Sequence, residues 1–142
     1  MTYRNILIAF DGSDGSFFAY AKACHLALKT GANLDIISVI DNHMLKGISS
    51  FDTDYIQQIR DGVINEISEL TDKAKKKGVK SVQRFVELGN PKVIISKDIF
   101  SKKHDLIVMG ATGMSEIEKI FIGSVTEYVI NNAKCDCLIV KS

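Results

Sequence analysis

The sequence has few cysteines, no excess of charge of one sign and no long hydrophobic run. Its three cysteines are an odd number without the paired spacing of a disulfide framework, so we expect a reducing compartment. The formal net charge of +1 gives no electrostatic reason to expect a nucleic acid or an anionic membrane as partner. No apolar segment is long enough to span a bilayer, and Arg4, Asp11 and Asp14 interrupt the N-terminal apolar run. We therefore expect a cytoplasmic protein without a signal peptide.

Common catalytic and metal-binding motifs are also missing. The cysteine pair Cys135-Asp136-Cys137 does not have the spacing of a CxxC redox or zinc motif, and no HExxH or GxSxG sequence occurs. The three histidines do not have metal-ligand spacing. We expect His25 to lie on the surface of a helix or to be partly packed, and His104 to be exposed before a strand.

Apolar segments typical of strands alternate with segments typical of helices. The predicted strands cover residues 3–10, 34–40, 79–88, 106–109 and 138–140. Four helices are predicted. The first has helical spacing at Phe17, Ala21, Cys24 and Leu28 and ends at Gly31, and the second has apolar residues at 56–74 and ends at Gly78. The third begins at Asn90-Pro91, with Ile95 and Ile99 facing inward, and the fourth covers residues 123–132. This order predicts an α/β fold in which a doubly wound parallel sheet carries helices on both faces. A chain of 142 residues suggests a single domain over 1–142.

The most informative motif is Gly110-Ala111-Thr112-Gly113, which is separated by nine residues from Gly123-Ser124. It joins a buried strand to the start of a helix. Glycines let a phosphate approach the backbone closely, and the free N–H groups at a helix start donate to anionic oxygens. We interpret the motif as a phosphate cradle; the alternative is that these glycines only form turns and caps.

A second set of polar residues, Asp11-Gly12-Ser13, follows the first strand. Ligands of doubly wound sheets bind beyond the carboxyl ends of the strands, and both this turn and the glycine motif lie at such ends. Asp11 is expected to shape the turn or cap the next helix, and it is also a candidate for ligand contact.

On these residues the chain resembles the ATP-binding branch of the universal stress protein family. The family motif G-x2-G-x9-G-[S/T] is matched at each position by Gly110, Gly113, Gly123 and Ser124. The resemblance continues through the turn after the first strand, Ser38-Val39-Ile40-Asp41, Gly89-Asn90-Pro91 and the last strand, and so covers nearly the whole chain.

The resemblance implies a Rossmann-like sheet in strand order 3-2-1-4-5 and a homodimer formed through the last strand. It implies ATP, or else ADP or AMP, with Mg²⁺ carried on the phosphates. Ala9 and Asp11 would lie beside the ribose, the Val39 backbone would pair with the adenine edge, and the glycine motif would hold the ribose and phosphates. The full set of implied contact residues is Ala9, Phe10, Asp11, Val39, Met109, Gly110, Gly113, Met114, Gly123, Ser124, Val125 and Thr126.

Two positions depart from the family pattern. Met114 stands where the family often has a basic residue that reaches the terminal phosphates, so we expect weak discrimination of ATP from ADP or AMP unless Lys119 or another cation substitutes. Asp136 stands where the family often has a proline before the last strand. Because the implied dimer forms through that strand, this difference concerns the geometry of the dimer edge.

Two apolar segments have open roles. Residues 44–51 form either a lid over the adenine or a surface for a protein partner, and His43 lies beside them. Ile117, Ile120, Phe121 and Ile122 either pack the nucleotide loop onto the sheet or face a partner.

Three functions remain open from the sequence. The first is a stress-response switch or sensor in which bound ATP orders the cradle and presents a surface to a partner. The second is a slow ATP hydrolase, although no Walker lysine motif or evident catalytic base is present, and the SGGxDS loop of ATP pyrophosphatases is also missing. The third is a dimeric scaffold that no longer binds nucleotide.

Overall fold

Strands and helices alternate along the chain, as the sequence predicted. The computed structural model describes residues 2–42, 53–97, 103–113 and 122–141. The elements are β1 (Asn5–Ala9), α1 (Asp14–Thr30), β2 (Asn33–Asp41), α2 (Thr53–Lys76), β3 (Val82–Gly89), α3 (Pro91–Ser96), β4 (Leu106–Gly110), α4 (Ser124–Asn132) and β5 (Asp136–Val140).

The five strands form one parallel sheet in the order β3-β2-β1-β4-β5. This confirms the predicted fold class and strand order. The chain moves outward in one direction from β1 to β3 and then returns to the other side of β1 with β4. The strand order therefore reverses between β1 and β4, where a doubly wound sheet leaves a crevice at its carboxyl edge.

The core lies on both faces of the sheet because the central strands are apolar on both sides. In β1, Ile6 and Ile8 face α1 and α2, whereas Leu7 faces α3 and α4. All three side chains are fully buried. The tyrosine hydroxyl of Tyr20 on α1 donates to the carbonyl of Leu70 on α2 at 2.6 Å, so these two helices are also joined directly.

Helix ends follow the signals in the sequence. Ser13 caps α1 by accepting from the Ser16 N–H, and Gly31 ends the helix in a left-handed conformation with φ of 73°. Asn90 caps α3 by accepting from the Lys92 N–H, and Pro91 occupies the first turn, where its missing N–H costs no hydrogen bond.

The buried face of α1 differs from the apolar spacing that predicted the helix. Of the residues that marked it, Cys24 is buried, whereas Phe17, Ala21 and Leu28 are exposed. The buried face consists mainly of small residues, among them Ala19, Ala23 and Ala27. Small side chains let the helix axis lie close to the sheet, so the larger apolar residues are displaced to the outer side.

The expectation that His104 is exposed is wrong. The side chain is buried just before β4, with 3% of the residue exposed, and its Nε2 lies 2.6 Å from Oδ2 of Asp35 on β2. A carboxylate partner offsets the cost of burying an imidazole, and the contact crosses the sheet between residues far apart in sequence. His25 is exposed, in agreement with the prediction.

Several predicted features lie outside the described residues: His43, the segment 44–51, Ile99, Met114, Ile117, Lys119, Ile120 and Phe121. Ile122 is described and exposed. Within the described ranges, no helix combines the length and the apolar character that crossing a membrane would require.

Candidate functional site

A cavity of about 550 Å³ opens at the carboxyl ends of β1, β2 and β4. It occupies the crevice that the reversal of strand order leaves open. The walls come from the turn after β1, the end of β2, one side of α2, the start of α3 and the glycine motif that joins β4 to α4. A concave site of this size is typical of small-molecule binding.

The structure brings together every predicted site residue that it describes. Met114 lies outside the described ranges. That these residues contact a ligand remains a prediction. The predicted residues that line the cavity are Ala9, Phe10, Asp11, Val39, Met109, Gly110, Gly113, Gly123, Ser124, Val125 and Thr126.

The turn after β1 is held by its own polar side chains. Oδ1 of Asp11 accepts from the Ser13 N–H at 2.9 Å and from the Ser13 hydroxyl at 2.5 Å. Gly12 between them has φ of 87°, a conformation that glycine adopts without strain. Asp11 therefore has the turn-forming role that the sequence predicted. Its other oxygen, Oδ2, lies 2.9 Å from the position that a Cβ on Gly113 would take.

The end of β4 packs closely against the start of α1. A Cβ on Gly110 would lie 2.8 Å from the carbonyl carbon of Gly15, so only glycine fits there without movement of the backbone. The carbonyl of Gly110 accepts from the hydroxyl of Thr126 at 2.9 Å. This hydrogen bond holds α4 against β4.

The N-terminus of α4 faces the cavity without a side-chain cap. Its cap residue is Gly123, whose N–H donates to the carbonyl of Ala111 at 2.7 Å and so fixes the helix start over the glycine turn. Ser124, Val125 and Thr126 form the first turn, and the N–H groups of a first turn have no partner within the helix. The result is a set of donors and a positive helix end directed at an anion-sized space.

The end of β2 presents its backbone to the same cavity. The Ser38 hydroxyl donates to the Phe10 carbonyl at 2.7 Å, and the carbonyl of Ile37 accepts from the Phe10 N–H at 2.8 Å. Backbone groups of a strand alternate in direction, so Val39, two residues further on, directs its N–H and C=O to the same side. This edge lies beyond the end of β1 and is suited to a planar ligand with donors and acceptors on its rim.

The sequence did not identify the wall formed by α2 and α3. Ile59, Val63 and Glu66 of α2 and Pro91 and Ile95 of α3 line the cavity. Helical periodicity included the apolar residues of α2 in the core stripe, although Ile59 and Val63 are only partly buried. Burial therefore differs between residues of one apolar helix face. This difference appears only when the helix is packed against the sheet, so the sequence alone does not show it.

The charged side chains of the described cavity lining are carboxylates: Asp11, Asp41 and Glu66. Lysine and arginine do not occur in that lining. Nor does the described part of the chain contain a group of three or more His, Cys, Asp or Glu residues arranged to hold a metal ion.

All three cysteines are free and poor nucleophiles. Burial raises the pKa of the Cys135 thiol to about 11, and burial also raises the pKa values of Cys24 and Cys137. Because the thiolate is the reactive form, none of these thiols is activated near neutral pH.

Comparison with known proteins assigns the family. The family model described as the universal stress protein family matches residues 2–141. The chain belongs to the universal stress protein family. A Staphylococcus haemolyticus protein that carries the universal stress protein name is 34% identical over 143 residues, which cover 100% of this chain and 87% of the relative.

Solved structures of universal stress proteins have the same fold. The protein UspA from Lactobacillus plantarum superposes with a TM-score of 0.84 at 25% identity, and the alignment covers 99% of each chain. A universal stress protein in complex with cAMP superposes with a TM-score of 0.71 at 26% identity, covering 99% of this chain and 98% of the other. The family resemblance seen in the sequence is thereby confirmed.

Proposed function

We propose that this universal stress protein binds an adenine nucleotide, such as ATP, in the cavity and acts as a nucleotide-dependent switch or sensor in a stress response. The observation that carries the proposal is the convergence of three features: the glycine turn after β4, the uncapped N-terminus of α4 and the free backbone edge at Val39. The cAMP complex of a universal stress protein supports an adenine nucleotide as the ligand class.

The cavity lining offers candidate contacts for each part of such a ligand. The N–H groups of Ser124 and Val125 would donate to phosphate oxygens. A Cβ on Gly113 would lie 2.9 Å from Oδ2 of Asp11, so a larger residue would disturb the neighbouring turn. The Val39 backbone would pair with the adenine edge, while Ala9 and Asp11 would lie beside the ribose. Mg²⁺ would be carried mainly by the phosphates, since the described cavity lining supplies only scattered carboxylates.

A switch is favoured over a hydrolase by the chemistry of the cavity lining. Hydrolysis of ATP needs a group that positions water and cations that neutralise the developing charge. The described lining contains neither lysine nor arginine. Ligand binding would instead join α4 to the ends of β1 and β2, and partner proteins would respond to that closed arrangement.

A homodimer through β5 is part of the same proposal. β5 is an edge strand, and Cys137, Leu138, Ile139 and Val140 on it are only partly buried. An edge strand leaves N–H and C=O groups open to a second strand. Sedimentation equilibrium tests this: about twice the chain mass of 15.7 kDa supports the dimer, and the single-chain mass contradicts it.

The free thiols further suit the reducing cytoplasm.

Calorimetry with ATP, ADP and AMP in the presence of Mg²⁺ tests nucleotide binding. We expect saturable binding by the wild type and at least about tenfold weaker binding by Gly113→Val, a loss of about 1.4 kcal/mol. Gly62→Val is the matched control, because a Cβ there meets nothing within 4 Å and the residue lies outside the cavity. Absence of binding by the wild type would favour the scaffold hypothesis, and steady phosphate release would favour the hydrolase.

A further inference from the structure

One carboxylate in the cavity comes from an element that the glycine motif does not include. Glu66 is an exposed residue of α2 that lines the cavity. Its Oε1 lies 3.6 Å from the position that a Cβ on Gly12 would take. The side chain therefore reaches from α2 to the turn after β1.

A second carboxylate, that of Asp11, lies in the same turn. Oδ2 of Asp11 lies 2.9 Å from the Cβ position of Gly113. Asp11 and Gly12 are adjacent, so Glu66 and Asp11 both lie near the junction of the turn after β1 and the glycine motif. In the proposed function the phosphates lie at Gly113 and the start of α4, next to this junction, so two negative side chains would lie near them.

Repulsion between a fixed carboxylate and a ligand grows with the charge of the ligand. ATP carries more negative charge than AMP because each additional phosphate adds ionised oxygens. The first-turn N–H groups of α4 attract a phosphate, but they offset the repulsion fully only for the phosphate that they contact. A divalent cation complexed with ATP neutralises part of the added charge.

We propose that Glu66 makes this cavity select adenine nucleotides of low phosphate charge, favouring AMP over uncomplexed ATP. The inference rests on the proposed function and concerns the specificity of the same site. Glu66 acts through its charge and needs no hydrogen bond to the ligand. Because the side chain is exposed, solvent and salt weaken the effect, and we expect a factor of about three to ten in affinity.

The test compares AMP and ATP binding, with EDTA and no added divalent cation, for the wild type, Glu66→Gln and Glu69→Gln. Glutamine keeps the size of the side chain and removes its charge. Glu69 is the matched control, since it is an exposed carboxylate on α2 that does not line the cavity. The quantity compared is the ratio of the Kd for ATP to the Kd for AMP.

We expect Glu66→Gln to lower this ratio by about threefold to tenfold at low salt, mostly through tighter ATP binding, and Glu69→Gln to leave it unchanged. Added Mg²⁺ or raised ionic strength should reduce the difference between the wild type and Glu66→Gln, which a purely structural effect would not do. An unchanged or increased ratio in Glu66→Gln would overturn the inference while nucleotide binding stands. Failure of the wild type to bind either nucleotide would overturn the proposed function as well.

Discussion

At the scale of single residues, the glycines of the site have different physical roles. Gly110 is required by packing, because its backbone touches the backbone of Gly15. Gly113 faces a side chain, that of Asp11, whose other oxygen is held by two hydrogen bonds from Ser13. Gly62 on α2 has open space around it and no role in packing. Substitution by alanine should therefore give results of opposite sign at Gly110 and Gly62.

We expect Gly110→Ala to lower the free energy of unfolding by about 1–3 kcal/mol, since backbone atoms of Gly15 cannot move without shifting α1. Gly62→Ala should raise the free energy of unfolding by about 0.5–1 kcal/mol, because alanine restricts the unfolded chain and favours a helix. Urea denaturation of both variants and the wild type measures these changes. Equal stability of Gly110→Ala and the wild type would contradict the close packing of β4 on α1.

Residues with local roles were predictable from the sequence, whereas residues with distant partners were not. The turn formed by Asp11 and the cap at Asn90 depend on neighbours a few positions away. The burial of His104 depends on Asp35, 69 positions away. The position of Glu66 in the cavity depends on how α2 crosses the sheet, which helical periodicity does not specify.

At the scale of elements, the sequence predicted which segments are strands and helices, but it did not predict which side of α1 is buried. Runs of apolar residues identify buried strands, and capping residues identify helix ends. The buried face of α1 is made of small residues, which carry a weak hydrophobic signal compared with the exposed Phe17 and Leu28. Close packing of Gly15 against Gly110 selects this face. These two residues are far apart in sequence, so no local pattern indicates their contact.

The contact between Asp35 and His104 joins β2 to the start of β4 across the buried face of the sheet. We expect His104→Ala to lower the free energy of unfolding by about 3 kcal/mol, because it leaves the Asp35 carboxylate buried without its imidazole partner. His25→Ala is the control, since His25 is exposed, and we expect a change within about 0.5 kcal/mol. Thermal or urea denaturation that finds equal effects for the two variants would show that the buried contact adds no stability.

At the scale of the whole molecule, the site exists only because the strand order reverses. Segments 9–13, 37–41, 109–113 and 123–126 are widely separated in sequence and meet at one edge of the sheet. The rule that ligands bind at this edge made the location predictable from the order of elements. The side wall from α2 and α3 was not predictable, because it depends on helix placement. Family membership supports the fold.

The most direct measurement for the central claim is a titration of the isotope-labelled protein with AMP, followed by the backbone amide signals in two-dimensional NMR. We expect saturable shifts at Val39, Gly113 and the first-turn residues Ser124 and Val125, because these N–H groups line the proposed site. Residues of β5 should shift little, as they lie outside the cavity. Shifts confined to β5 or to other surfaces, or no shifts at saturating AMP, would contradict an adenine-nucleotide site at the carboxyl ends of β1, β2 and β4.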